Sequence, residues 1–587
     1  MFRPTRLVAA LLFLVAPLLG QTDALSGASQ SGAQSSPAVP ENRATLPQQE
    51  STRFRERSDL VLVPVVVTDK SGKHVTGLQK EAFHIEEDGN ARSFSVFEEK
   101  KTEKLAPRTV SAPPEVYSNF VAGDDHPWRL TAVLLDMINT PSLRQAEAKR
   151  QLIDYLLQSA EQGEPVAIFG LNGSGLHQLH SFTTNTAVLV DALKKLKLSL
   201  SSVESTQPPE ALTDDPSEEQ QSSEEAQLMS QFMQDMNDTV SADYQRRATR
   251  ETLAAMTQLA HAFQGIPGRK TIIWASAGFP FTIDDPQSFA RQGDDLHGEY
   301  DDAWRALNSA SIAVYPVDLS AMDFSTRQLP SDRAGASNSH IADIRGVNGL
   351  RPALQLPYDQ SSQQQMTLRA FADATGGRAC VTVNELEKCF AEAVDDSRDY
   401  YLVGYYLGGD VKPGWRKLKV KVAGDGLHVR ARGGFYVSQK PDESAELRRN
   451  QLVDALAAPV QYTGLRLTAR RLPASDDQSI PSDGTKQHVE FMLGVMGDSI
   501  SFDREKGNAI NLEVAALAFD ANRKSVATAS QGIAVELKQE TMQKTLNTGL
   551  GIPEKLEIPP GKYEVKFAVR DNPSGLVGTV SMPIEVK

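Results

Sequence analysis

The sequence predicts an α/β protein in which a doubly wound, mostly parallel sheet is flanked by β-sandwich modules. Between about residues 129 and 397, short apolar runs alternate with segments of helical spacing, which implies parallel strands covered by helices on both faces. On either side, residues 59–98, 400–437 and 458–587 carry β-branched stretches separated by Gly, Asn and Asp turns, the pattern of antiparallel sheets. With 587 residues, 40% apolar and 23% charged, the chain is long enough for several cores, and its composition is neither fibrous nor wholly disordered.

Taken in order, residues 1–24 read as an export signal. Arg3 and Arg6 give a basic start, Leu7 to Leu19 an apolar run, and Gly20 and Ala24 the small residues beyond it. The apolar run is broken by Pro17 and falls short of the ~20 residues that span a bilayer. No cysteine follows it to carry a lipid. The mature chain is therefore expected to be exported, periplasmic or extracellular, without a membrane span. Residues 25–57, rich in Ser, Gln, Ala, Gly and Pro, read as a disordered linker.

A β module is expected over 58–104. The run Asp59 to Asp69 ends in the turn Lys70–Lys73, Phe83 to Asp88 alternates, and Gly89-Asn90 turns into Ser93 to Glu98, a meander of a small Ig-like module. After a Pro-punctuated link, residues 128–398 form the α/β domain. Its strands are read at 129–136, 165–171, 270–276 and 312–318, with a hairpin partner at 176–182. Helices are read at 142–160, 186–196, 249–263, 301–310, 363–374 and 384–394. Strands over 399–438 (Tyr400 to Tyr406, Trp415 to Val422, His428 to Val437) are expected to complete a sheet with 58–104. A helical linker at 444–457 leads to a C-terminal sandwich over 458–587.

The net charge of -14 argues against nucleic acid as a partner, because a general nucleic-acid binder needs a basic face to displace counterions. Most of that charge sits in one place. Residues 198–245 hold eleven acids and no Lys or Arg, and read as an acidic, flexible insert in the α/β domain. The two cysteines, Cys380 and Cys389, form a disulfide if the chain is exported, or else two buried thiols; neither looks catalytic, with no CxxC and no adjacent base.

Ligands of an open parallel sheet sit beyond the strand C-termini, here near Asp136, Ser276 and Asp318. Trp274-Ala-Ser-Ala-Gly278 puts a Ser on a strand-to-helix turn, as a hydrolase elbow does, but with Trp where that elbow needs Gly. A capping or turn role for Ser276 is the simpler reading. His177 and His180 fall on opposite faces of a hairpin, poorly placed to share a metal. Gly170 to Gly175 matches no phosphate-binding pattern and reads as a hairpin turn. Arg269-Lys270 reads as a solvated pair at a strand edge.

Several segments in this order carry a resemblance: Val66 to Phe97, Leu134 to Thr140 (LLDMINT), Phe182-Thr-Thr, Pro267 to Phe279 (PGRKTIIWASAGF), Ala313 to Asp318, Thr375-Gly-Gly-Arg378 and Asp399 to Tyr406 (DYYLVGYY). The α/β region resembles a von Willebrand factor A domain, and with its flanks it resembles the VWFA-related acidobacterial domain family of exported proteins. The resemblance implies a Mg²⁺ site built from a DxSxS loop, a Thr and a second Asp, oxygen ligands suited to a hard cation. Here Asp136 and Thr140 match the ends of the loop, Ile138 replaces its middle hydroxyl, and Ser276-Ala277-Gly278 replaces Thr-Asp-Gly. Thr249 or Thr252 is the candidate for the remaining hydroxyl, and Asn139 and Asp318 for compensating ligands. The expected function is an exported, non-enzymatic binding protein with a degenerate metal-ion-dependent adhesion motif. Its partner would be a protein or a cell-surface polymer, with no cofactor. The alternatives are Mg²⁺-dependent adhesion through Asp136 and Thr140, and a hydrolase using Ser276.

Overall fold

A computed structural model describes residues 60–101, 115–120, 130–158, 165–197, 224–266, 268–277, 296–321, 358–381, 386–407, 412, 414–437, 444–473, 486–503 and 507–587. The expected export signal, the linker over 25–57 and residues 198–223 of the acidic insert lie outside them. The described residues form a mixed α/β structure with five sheets, four antiparallel and one mixed.

The chain opens with β1 (Leu60–Thr68), β2 (Phe83–Glu87), β3 (Asn90–Arg92), β4 (Val96–Lys101) and the short β5 (Tyr117–Ser118). The α/β region follows: β6 (Leu130–Asp136), α1 (Ser142–Gln158), β7 (Val166–Asn172), β8 (Gly175–Thr183), α2 (Thr186–Lys195), α3 (Glu224–Phe263), β9 (Lys270–Ser276), α4 (His297–Ser309), β10 (Ile312–Asp318), α5 (Tyr358–Thr375) and α6 (Leu386–Asp395). Next come β11 (Asp399–Tyr406), β12 (Gly414–Val422), β13 (His428–Arg430), β14 (Gly434–Val437) and α7 (Ala445–Ala457). The last part holds β15 (Leu467–Arg471), β16 (Gln487–Val495), β17 (Ala509–Phe519), β18 (Ser525–Glu536), α8 (Gln539–Thr548), β19 (Leu550–Ile558), β20 (Gly561–Asp571) and β21 (Val577–Val586).

The mixed sheet has the order β10-β9-β6-β7-β8, the first four parallel and β8 returning antiparallel as a hairpin. Its strands are apolar on both faces. One set (Leu134, Phe169, Ile272, Trp274, Val314) packs against α3, α4 and α5, and the alternate set (Val133, Ile168, Ile273, Tyr315, Val317) packs against α1, α2 and α6. Each fully buried aliphatic side chain of this kind contributes about 1.5–3 kcal/mol. Local signals set the helix ends: the Asn185 side chain accepts the N–H groups of Ala187 and Val188 at the start of α2.

The strands before and after this region pair with each other. β1 lies between β11 and β13, and β4 flanks β11; β2 lies between β3 and β12, with β14 beyond. The two four-stranded sheets enclose Val63, Val65, Ile85, Val403, Leu418 and Phe435. The last 120 or so residues contribute two more four-stranded sheets, β19-β16-β15-β5 and β18-β17-β20-β21. β5 belongs to this module although it precedes the α/β region. Asn119 fixes it there by donating to the carbonyls of Tyr462 and Leu465 and accepting from Leu467 N–H.

Two readings change. The pair Arg269-Lys270 is buried. Arg269 donates to the Tyr315 hydroxyl (3.1 Å) and the Gly376 carbonyl (2.7 Å), and Tyr315 passes a hydrogen bond on to Asp396, which pairs with Arg430 of β13. This chain of contacts joins the strand N-termini of the mixed sheet to the flanking sandwich, so the position is an interface. Lys270 donates to the Ile266 carbonyl at 2.6 Å, and burial pushes its ammonium down to about 7. The acidic insert is likewise not flexible throughout: from Glu224 it is helix, continuous with α3. The reason is compositional, because after Pro216 no Pro or Gly interrupts the chain until Gly265.

Candidate functional site

The C-terminal end of the mixed sheet gathers the residues singled out by the sequence. Asp136 ends the central strand β6, Ser276 ends the neighbouring β9, and the loop Met137–Thr140 turns between them and α3. All are buried, with Asp136 and Thr140 1% exposed and Ser276 fully enclosed.

Hydrogen-bond donors meet both oxygens of the Asp136 carboxylate. Oδ1 accepts the backbone N–H of Asn139 (3.2 Å), and the Asn139 side-chain amide reaches both oxygens at 3.1 and 2.9 Å. Oδ2 also accepts the Trp274 indole N–H and the Ser276 hydroxyl, each at 3.0 Å. The ring continues outward: the Asn139 amide donates to Thr252 Oγ1 at 2.9 Å, and Thr140 Oγ1 accepts the Ala277 N–H at 3.0 Å. Gln145 ties the loop down by donating to the carbonyls of Met137 and Thr140. Burial pushes the Asp136 carboxyl up to about 6 despite these donors, which pull the other way.

These residues do not fit a divalent cation. A hard ion needs several oxygen lone pairs converging on one point, whereas the Trp274 and Asn139 groups at Asp136 are N–H donors that present positive ends. Ile138, where a second hydroxyl would stand, is buried in the core with Leu134 and Trp274. The cavity beside Asp136, between Thr140 and Leu319, is about 10 Å³, room for about one water and far less than a hydrated ion requires. Asp318 is engaged elsewhere: it accepts from the Ser320 N–H and hydroxyl and from the Gln365 amide at 3.1 Å. Thr249 donates to the Gln245 carbonyl within its own helix. Among the described residues, no group of three or more His, Cys, Asp or Glu side chains is arranged to hold a metal.

Nor does Ser276 have the surroundings of a nucleophile. Its hydroxyl donates directly to a carboxylate and has no exposure to solvent, whereas an activated Ser passes its proton to an imidazole that substrate can approach. His177 is bound instead to Ser174 and Asn172 at the tip of the β7–β8 hairpin, and His180 to its neighbour's carbonyl. Cys380 and Cys389 form a disulfide, with Cα atoms 6.2 Å apart, linking the segment after α5 to α6.

Trp274 is the residue that sequence reasoning undervalued. Strand parity carries the missing signal: Trp274 and Ser276 point the same way, and parallel register sets Leu134 beside Trp274 and Leu135 beside Ala275, so that face also holds Asp136.

A separate groove of about 1210 Å³ runs between the C-terminal end of α3, the β8 edge and the C-terminal module, and is lined by Gln178, Phe182, Gln264, Thr463, Arg466 and Ser499 among others.

No family model and no curated protein matches the chain. Among solved structures, a β-glucuronidase from glycoside hydrolase family 2 aligns with 31% of this chain and 19% of its own, at 9% identity and a TM-score of 0.14. The chain therefore spans about a fifth of that enzyme, and so slight a likeness carries no inference about fold or chemistry.

Proposed function

We propose that this is an exported, non-enzymatic binding protein built around a von Willebrand A-like module whose ion position is filled by the protein's own side chains, and that its partner is a protein or a cell-surface polymer. The observation that carries this reading is the donor cage around Asp136. An acid at the end of the central strand is kept, but Trp274, Ser276 and Asn139 take the lone pairs that an ion would use. The sheet order, with one antiparallel edge strand and α-helices on both faces, supports the module assignment. The burial of Ser276 favours binding over hydrolysis. The groove beside Phe182 and Arg466 offers a concave face of mixed polarity for a partner.

Calorimetry tests it. The full chain should give no heat with Mg²⁺ or Mn²⁺, and its binding to a partner recovered by cross-linking should survive EDTA. Asp136→Ala should lower stability by roughly 3 kcal/mol, because it strands buried donors, and by the same amount with or without Mg²⁺. A saturable Mg²⁺ heat lost in Asp136→Ala would replace this reading with ion-dependent adhesion through Asp136 and Thr140. Turnover of an ester or glycoside lost in Ser276→Ala would replace it with a hydrolase.

A further inference from the structure

The first half of α3 carries a row of apolar side chains in solvent. Phe232, Met236, Val240 and Tyr244 are 58%, 50%, 44% and 41% exposed and recur at every fourth position. Burial begins only at Ala248 and Thr249. From Glu224 to Arg247 the helix therefore runs about 36 Å with no described residue buried. Asn237, Asp238, Thr239, Val240 and Ser241 within it are weak helix formers, and a helix of this kind depends on packing an apolar face against something.

The sequence indicates what that is. Ala226, Met229, Met233, Met236 and Val240 follow one another at spacings of three and four, the repeat of helices that pair side by side. Phe232 and Tyr244 border this seam, and the positions of Asp235 and Asp238 fall on the opposite side of the repeat. The ends carry opposite charge: Glu224 and Glu225 at the start, Arg246 and Arg247 about 33 Å further along. Two such helices laid parallel set acid beside acid and base beside base. Laid antiparallel, they set Glu225 of each copy level with Arg246 of the other, and the seam is matched to itself. We infer that the first half of α3 is an interface between two copies of this chain, paired antiparallel about a two-fold axis near Met236. The interface is isologous and closes at the dimer. It is independent of the Asp136 cage and of the partner proposed above.

The test uses the full chain. Sedimentation should show a concentration-dependent monomer–dimer equilibrium, and Phe232→Glu, at an exposed position, should shift it to monomer without changing the melting temperature of the dilute protein. Under mild oxidation Met236→Cys should link to itself. Tyr244→Cys, about 25 Å along the helix from the level of its counterpart, should not self-link but should link to Met229→Cys in an equal mixture. Glu225→Lys should weaken dimerisation at least tenfold, and adding Arg246→Glu should restore most of it. A chain that stays monomeric at every concentration, with Met236→Cys unlinked, overturns the proposal, whether or not another part of the same chain covers the stripe. Self-linking of Tyr244→Cys overturns the antiparallel arrangement.

Discussion

Buried charge sets the character of individual residues in this protein. Asp136 and Lys270 lie at opposite ends of the same sheet, both removed from water, and each is displaced toward its neutral form. Lys270 offers the cleaner measurement, because burial alone displaces it. Its folded value, about 7, lies below the unfolded value near 10.4. Its contribution to stability is therefore complete above the unfolded value and is lost as pH falls through about 7. Denaturant melts should show wild type gaining about 1.4 kcal/mol per pH unit from pH 7 toward 10 relative to Lys270→Met; parallel pH profiles for the two proteins would refute this. Composition could not reveal either displacement. Asp136 was legible as a candidate because it ends an apolar strand, but Lys270 looks like any strand-edge lysine until β10 and β6 are known to flank it on both sides.

At the scale of elements, the strands and helices of the α/β region were the most readable part of the chain. Lys270–Ser276 and Ile312–Asp318 match the expected strands, Leu130–Asp136 starts one residue later and Val166–Asn172 is shifted by one residue, because buried parallel strands are unbroken apolar runs bounded by turns. What failed is what tertiary packing decides. β5 has two residues and no periodicity; it is a strand only because β15 accepts it. Thr375-Gly-Gly-Arg378 was visible as a motif, but its purpose was not. Thr375 caps the close of α5 by donating to the Phe371 carbonyl and accepts Val314 N–H. Gly376 turns at φ +78°, and a Cβ on Gly377 would lie 1.9 Å from the Val314 carbonyl oxygen. Gly377→Ala should therefore destabilise by about 3 kcal/mol, whereas Gly173→Ala, with open space around it, should be close to neutral in the same thermal melts. Equal effects at the two positions would show that the close approach at Gly377 relaxes without cost.

At the scale of the molecule, the α/β region is an insertion: the sandwich beside it is made from strands on both sides of it. The Tyr401 hydroxyl accepts the Leu78 N–H across 323 residues of sequence. Chain cleavage tests how firmly the halves hold. With a protease site introduced at residue 210, the two fragments should co-elute under native conditions and separate only in denaturant, because β1, β2 and β4 belong to sheets completed by the second fragment. Spontaneous separation would mean that the β1–β11 and β2–β12 pairings contribute little.

The same connectivity fixes an order of events during synthesis. β1, β2 and β4 leave the ribosome first, yet β11 and β12, which pair with them, come some 323 residues later, at ordinary elongation rates a delay of roughly 15 to 65 seconds. Until then the edges that β11 and β12 will cover stay unpaired, the kind of surface that draws chains together. The α/β region can meanwhile complete its own sheet, since all five of its strands lie within the interval. Refolding from denaturant should accordingly show a fast phase in the α/β region and a slower one in which the first and last strands of the sandwich find each other, the cost of closing so long a loop being met last.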